Sequence, residues 1–179
     1  MISIQKNITL IPIKAEDQTQ LFELMDEVYK TAYSHFWKDG GNWYIDLIYS
    51  KKNLEKELSR ESSHYFFVEF DQEKIGILKY DFPFSPKQIE IPNSMKLHRL
   101  YLHPKVHGKG IAQALMQHIE EVAMENKLDY IWLEAMESQP QARRFYEKSG
   151  YAHCLTYTLD FEQLLPEYRG IQILKKNLS

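Results

Sequence analysis

A single cysteine, Cys154, among 179 residues excludes an intramolecular disulfide and a cysteine-based metal cluster. It points to a reducing compartment, so a cytoplasmic location is expected. No apolar run approaches the ~20 residues a membrane helix needs, and the opening MISIQKNITL has no secretory core, so neither a span nor a leader is expected. An excess of one charge is also missing: 22 Lys and Arg stand against 25 Asp and Glu, a formal net charge of −3. That balance gives no general attraction to nucleic acid, and none is expected as a partner. The seven histidines show no H-E-x-x-H or comparable ligand spacing, so no metal is expected. Internal repeats and low-complexity segments are absent, and glycine is scarce, with seven in all.

What is present is a succession of short strands and helices. Residues 8–13 alternate and carry Pro12, which suits an edge strand. Asp17 stands where it would cap a helix with the stripe Leu21, Leu24, Met25 and Val28. Residues 29–49 are dense in large rings, including Tyr29, Tyr33, Trp37, Trp43 and Tyr44, and are broken by Gly40 and Gly41. Two short helices with a loop between them are expected there, the rings packing on a sheet or walling an acceptor pocket. A further helix ends at 54–58, and 64–70 pairs with 74–82 in a hairpin about Asp71-Gln72-Glu73. Gly76 marks a bulge or a close backbone approach. A proline-rich loop at 82–94, long enough to overhang something, leads into a central strand where Leu97, Arg99 and Tyr101 alternate with His98, Leu100 and Leu102. A helix from Ile111, a strand at 129–134, a helix at 139–148 with Pro140 in its first turn, and strands at 151–159 and 172–178 complete the chain. This order predicts an α/β fold in one domain, 1–179: a mixed sheet of about seven strands with helices on both faces.

The centre of the chain carries the chemistry. After the central strand, Pro104 closes the ladder, and Gly108 and Gly110 precede the helix at Ile111. Strand, glycine turn and helix N-terminus leave backbone N–H groups, here those of Gly108, Lys109, Gly110, Ile111 and Ala112, converging on one point. That geometry suits a phosphate. The spacing is neither a Walker loop nor a dinucleotide fingerprint, which need further glycines and other partners.

His107-Gly108-Lys109-Gly110-Ile111-Ala112 resembles the Arg/Gln-x-x-Gly-x-Gly/Ala signature of the GCN5-related N-acetyltransferases. The segment Ala142-Arg143-Arg144-Phe145-Tyr146-Glu147-Lys148-Ser149-Gly150-Tyr151 is similar to the same family's Asn-x-x-Ala-x-x-Phe-Tyr-x-x-x-Gly-Phe. Both lie in the family's order and separation. The resemblance implies the acyl-CoA N-acyltransferase fold and acetyl-CoA as cosubstrate, its pyrophosphate on the glycine turn and its acyl arm beside the backbone of Leu100, Tyr101 and Leu102. His107 stands where the family has Arg or Gln, and Gln139 where Asn is usual; Arg144 is a further candidate for the coenzyme. By the same resemblance Tyr146 is the general acid for the leaving thiol. The base is read as His98, a competent proton acceptor near pH 7, with Glu134 as second choice.

Residues 53–59 and 62–67 look like the bacterial spermidine/spermine acetyltransferase branch, which implies direct transfer of acetyl to a primary amine, a polyamine or another small amine. Asp26, Asp39 and Asp46 are the candidate carboxylates for such a cation, with Trp37 or Trp43 for cation–π contact. A peptide N-terminus or lysine as acceptor, and non-catalytic binding of acyl-CoA, are the alternatives. Either a monomer or a homodimer fits.

Overall fold

The computed structural model describes residues 1–178. Its strands are β1 (Ile2–Gln5), β2 (Ile8–Pro12), β3 (Ser63–Phe70), β4 (Glu73–Asp81), β5 (Ser94–Leu102), β6 (Tyr130–Met136), β7 (Ala152–Thr158) and β8 (Gly170–Asn177). The helices are α1 (Gln18–Tyr33), α2 (Asn42–Tyr49), α3 (Lys51–Leu58), α4 (Ile111–Glu125) and α5 (Pro140–Lys148). The strands form one sheet in the order β1-β2-β3-β4-β5-β6-β8-β7, antiparallel throughout except between β5 and β6. The sheet has eight strands where about seven are expected. The extra one is β1, which hairpins onto β2 through Lys6 and Asn7. It is short and largely exposed, so its period-two signal rests on Ile2 and Ile4 alone.

Local chemistry sets the elements. Asp71 (φ 50°) and Gln72 (φ 66°) are both left-handed, which is the two-residue hairpin turn whose twist matches the strands. The expected three-residue connection is one residue shorter. Asp17 caps a single 3-10 turn by accepting the Lys14 amide at 2.9 Å, and α1 begins one residue later. The ring-dense stretch resolves into the end of α1, a 3-10 turn at Ser34–Phe36, and α2. Ser50 Oγ accepts the Asn53 amide at 3.3 Å and starts α3.

Helices cover both faces. On one, Leu97, Leu115, Ile119 and Leu133 are buried together, with Leu100, Leu102 and Tyr146 against them. On the other, Leu21, Met25, Tyr49, Leu54, Phe67 and Ile77 are buried, with Tyr101 packed against them. Each such aliphatic side chain removed from water contributes about 1.5–3 kcal/mol, so two cores lock the sheet from both sides.

Bulges break the alternation, and two of them bear on the centre of the sheet. In the β3–β4 pair the register shifts between Val68 and Glu69, leaving Ile75 extra, next to Gly76. A Cβ on Gly76 would lie 2.0 Å from the Tyr101 carbonyl oxygen, so β4 and β5 need a glycine to pair there. Both readings of Gly76, bulge and close approach, therefore hold. Gly76→Ala is expected to cost about 2 kcal/mol by forcing the strands apart, seen as a fall in melting temperature of roughly 6 °C. A melting temperature within a degree of the parent would show that the strands yield without cost.

The second bulge lies in β5. Lys79 pairs with Arg99 and Tyr80 with Leu97, so His98 is the extra residue. A bulge sends two successive side chains to one face. Leu97 consequently joins Leu100 and Leu102 in one core, and His98 shares the opposite side with Arg99, contrary to simple alternation.

Candidate active site

β5 and β6 pair only from Ser94↔Tyr130 to Leu97↔Leu133 and then diverge. His103 N–H donates to the Ile75 carbonyl at 2.7 Å, so by the two-residue period Tyr101 also directs its backbone at β4. The amides of Leu100 and Leu102 face the other way, into the gap that β6 has left. A cleft of about 600 Å³ opens there, lined by Leu100, Glu134, Gln139 and Tyr146. Past Leu102 and His107 it continues into a groove of about 1010 Å³ toward the glycine turn. Past His98 and Glu134 it continues into a cavity of about 870 Å³ on the opposite face. The passage thus runs through the sheet.

At the glycine turn, Gly108 (φ 78°) and Gly110 (φ 76°) are both left-handed, a conformation that glycine adopts without strain. Ile111 opens the 15-residue helix α4, so its amide and that of Ala112 have no intrahelical acceptor. The amides of Gly108 and Gly110 also make no backbone hydrogen bond among the described residues. The Lys109 amide, expected to join them, instead donates to the Val106 carbonyl at 3.3 Å. Its ammonium lies 5.1 Å above the Phe70 ring. The Ile111 side chain is in the core, and the His107 side chain borders the groove.

α5 forms the far wall. Gln139 precedes it, with Pro140 at its first position, and the Gln139 side-chain amide borders the cleft without a partner among the described residues. Tyr146 packs edge-on against Phe145 (5.3 Å) and Tyr151 (5.8 Å), and its hydroxyl makes no hydrogen bond among the described residues. Burial, with a smaller contribution from Tyr33, raises its pKa well above the ordinary phenol value, so the proton stays on at neutral pH. Arg144 is exposed and borders neither the cleft nor the groove, so its side chain does not join Tyr146 and Gln139 there.

His98 lies where the bulge turns it, with Nε2 3.3 Å from Asp81 Oδ2 and its ring edge-on to Phe84 at 5.0 Å. Both facing atoms are buried and make no other hydrogen bond among the described residues, with Arg60 a further 3.7 Å ion contact to Asp81 Oδ2. A proton on Nε2 shared with Asp81 Oδ2 answers both, leaving the Nδ1 lone pair free. Burial pushes the His98 pKa down to about 4, against the opposing pull of Asp81, so the ring is neutral at pH 7. Glu134 is committed elsewhere: it accepts from Lys96 Nζ and from the Tyr157 hydroxyl, each at 2.8 Å. Lys79 and Asp81 are fully buried and bonded at 2.6 Å, and Arg99 holds Glu57 through two bonds of 2.8 Å.

The rings of 29–49 divide between the two expected uses. Tyr29, Trp37 and Tyr44 line the 870 Å³ cavity, whereas Trp43 packs on Phe161 at 5.2 Å and Phe36 is in the core. The candidate carboxylates do not reach it. Asp39 accepts the Gly41 and Trp43 amides at 3.0 and 2.6 Å and starts α2, Asp26 pairs with Lys30, and Asp46 is exposed. The proline-rich loop does not line the cavity either; its Phe84 buttresses His98, and its Phe84 carbonyl accepts Trp132 Nε1–H at 2.7 Å. A part of the wall not foreseen is the arm after β7, where Leu159, Phe161 and Leu164 close the cavity. The bridge Trp37↔Leu164 and the bond from Lys38 N–H to the Gln163 carbonyl at 2.9 Å tie that arm down. Apolar residues at 159, 161 and 164 between two strands were the available signal.

Solved structures share this architecture. The PaiA N-acetyltransferase of Thermoplasma acidophilum, in complex with coenzyme A, superposes with a TM-score of 0.70 at 22% identity, over 95% of this chain and 98% of that one. A chimera of the spermidine N-acetyltransferase SpeG of Vibrio cholerae with hSSAT gives 0.70 at 18% identity, over 97% and 96%. An uncharacterized N-acetyltransferase from the pepI 3′ region of Lactobacillus delbrueckii subsp. lactis is 25% identical over 107 residues, 60% of this chain. The match spans about three-fifths (62%) of that relative's length. The model of the Acetyltransferase (GNAT) family matches residues 22–151, most of the chain and all of the splayed strands, the glycine turn and α5, and the protein belongs to that family.

Proposed function

We propose that the protein transfers an acetyl group from acetyl-coenzyme A directly to a small primary amine. The observation that carries this reading is the passage through the sheet, which joins the glycine turn, the open strand amides and Tyr146 to a separate cavity on the opposite face. The residues present fit the coenzyme: the free amides at Gly108, Gly110, Ile111 and Ala112 suit its diphosphate, and Leu100 and Leu102 suit an extended amide-bearing arm. The coenzyme supplies an acetyl group activated as a thioester. A coenzyme A complex of a protein with the same fold supports the assignment.

Attack by the amine nitrogen forms the new C–N bond as the C–S bond breaks. Strand amides facing the gap stabilise negative charge on the acetyl oxygen. Holding both reactants in one passage supplies much of the rate, because well-oriented groups reach effective molarities of ~10⁵ M or more. The proton lost by nitrogen goes to His98 Nδ1 and on to solvent, and the Tyr146 hydroxyl donates a hydrogen bond to the departing sulfur, which leaves as a thiolate and takes its proton from solvent. His98 is favoured over Glu134 because its lone pair is free, whereas both Glu134 oxygens are bonded. The polyamine reading draws support from the fold shared with SpeG; a peptide acceptor and coenzyme binding without transfer are the alternatives to be tested.

The test is coenzyme release over an amine panel, with coenzyme binding measured separately. His98→Gln is expected to lower kcat/KM about tenfold, a modest loss because a base with pKa about 4 gains little from full proton transfer. Glu134→Gln should cost less. The reverse ranking would make Glu134 the base, and binding without transfer to any amine would remove the enzymatic reading.

A further inference from the structure

We infer that the acceptor is a primary monoamine with an aromatic or bulky apolar body, a refinement that rests on the transfer reading above. Six rings, those of Tyr29, Trp37, Tyr44, Tyr101, Tyr157 and Phe161, line the acceptor-side cavity, and aliphatic side chains fill most of the wall between them. The charged residues that line it are Lys96, Arg99 and Glu134. Each is neutralised inside the protein: Lys96 bonds Glu134 at 2.8 Å, and Arg99 is clamped by Glu57 from α3. Among the described residues the cavity therefore offers no carboxylate without a cation of its own. Asp160 and Glu162 flank Phe161 in sequence but are exposed and line none of it.

A second or third ammonium drawn into such a space must shed its water and finds in return ring faces, tyrosine hydroxyls and a Glu134 carboxylate already held by Lys96 and Tyr157. The cation–π attraction of those faces is smaller than the solvation it replaces. An uncharged aromatic body faces the opposite balance: it sheds little water and finds rings set at varied angles, Tyr29 stacked on Tyr44 at 4.5 Å and edge-on to Tyr101 at 5.5 Å. Its one amine would stay beside His98 and the gap between β5 and β6. A cavity volume of about 270 Å³, the remaining space being open to solvent, accommodates a body of one or two rings.

The experiment compares acetyl-coenzyme A-dependent acetylation of 2-phenylethylamine, spermidine and putrescine by the wild-type chain, with products identified by mass spectrometry. The expected result is a kcat/KM for 2-phenylethylamine at least tenfold above that for spermidine. Phe161→Glu, which gives the wall an unpaired carboxylate, is expected to shift that ratio toward spermidine by tenfold or more. A wild-type ratio of one or less overturns this inference and leaves acetyl transfer standing. Acetylation of none of these or any other amine, with acetyl-coenzyme A still bound, overturns both.

Discussion

Replacing Tyr146 by phenylalanine is expected to lower kcat about 10²-fold while the dissociation constant for the coenzyme changes less than about threefold. The phenylalanine ring keeps the packing on Phe145 and Tyr151, so the substitution removes one hydroxyl and nothing else from the wall of the cleft. That hydroxyl has no partner among the described residues, which leaves its proton available to sulfur. Burial raises its pKa, and the two consequences pull in opposite directions. The proton stays in place across the whole neutral and mildly alkaline range, so the acid form is never depleted. Yet a phenol above its reference pKa of about 10 is a weaker acid than a typical thiol near 8.5, so full transfer before C–S cleavage is uphill. The hydroxyl acts mainly by hydrogen bonding to sulfur as charge develops there. That places the effect near the low end of general-acid contributions, about 2.7 kcal/mol of barrier. The same reasoning predicts no decline in wild-type kcat from Tyr146 ionisation up to pH 10. Steady-state kinetics in which kcat is unchanged by the substitution would exclude this role for Tyr146.

The parts of the protein legible in the sequence are those whose cause is local. The glycine turn, the Pro140 helix start and the 64–82 hairpin each announce themselves in a few neighbouring residues, and all are found near their expected positions. Features set by distant partners are not legible in this way. Period-two reading puts Leu97 on the side of Arg99, and only the pairing of β5 with β4 shows that His98 is an extra residue that reverses the pattern. Lys79 sits on an alternating strand like any surface lysine, and its complete burial depends on Asp81 and on Glu57 from α3. Aspartates near the rings in sequence looked like ligands for a cation, but the helix start at Asn42 claims Asp39, and the geometry of α1 gives Asp26 to Lys30. Phe161 entered the cavity unannounced because an arm without regular structure has no periodicity to read.

Substituting Asp81 by alanine is expected to destabilise the fold by about 3–5 kcal/mol, the cost of stripping one partner from a buried ion pair. For a chain of this size that corresponds to a melting temperature lower by roughly 10 °C. The Lys79 ammonium, fully buried and 2.6 Å from Asp81 Oδ1, would keep only the more distant Glu57 as counter-charge. His98 Nε2 would lose the Asp81 oxygen 3.3 Å away, and Arg60, 3.7 Å from Asp81 Oδ2, would lose its contact. The loss has a defined pH dependence. Burial on its own would raise the Asp81 carboxyl, but His98 and Lys79 outweigh it and hold the group far below the ordinary 3.8. Its stabilising contribution is therefore complete above pH 4 and fades only as pH falls toward that depressed value. The His98 ring is also depressed, from 6.5 to about 4, so wild-type stability erodes by roughly 3 kcal/mol as pH falls through that window. In the variant, His98 loses the carboxylate that favours its charged form, its pKa falls further, and acid erosion continues to a lower pH. The difference in melting temperature is accordingly expected to be nearly flat from pH 8 to 5, where only the unfolded His98 takes up a proton in either chain, and to change only as pH approaches 4. Substituting Lys79→Met together with Asp81→Leu should recover most of the loss at pH 7, because well-packed apolar residues replace a buried pair at little cost. A single variant melting within about 2 °C of the parent would mean that water reaches Lys79, and that the buried charges beside His98 do not hold it in place.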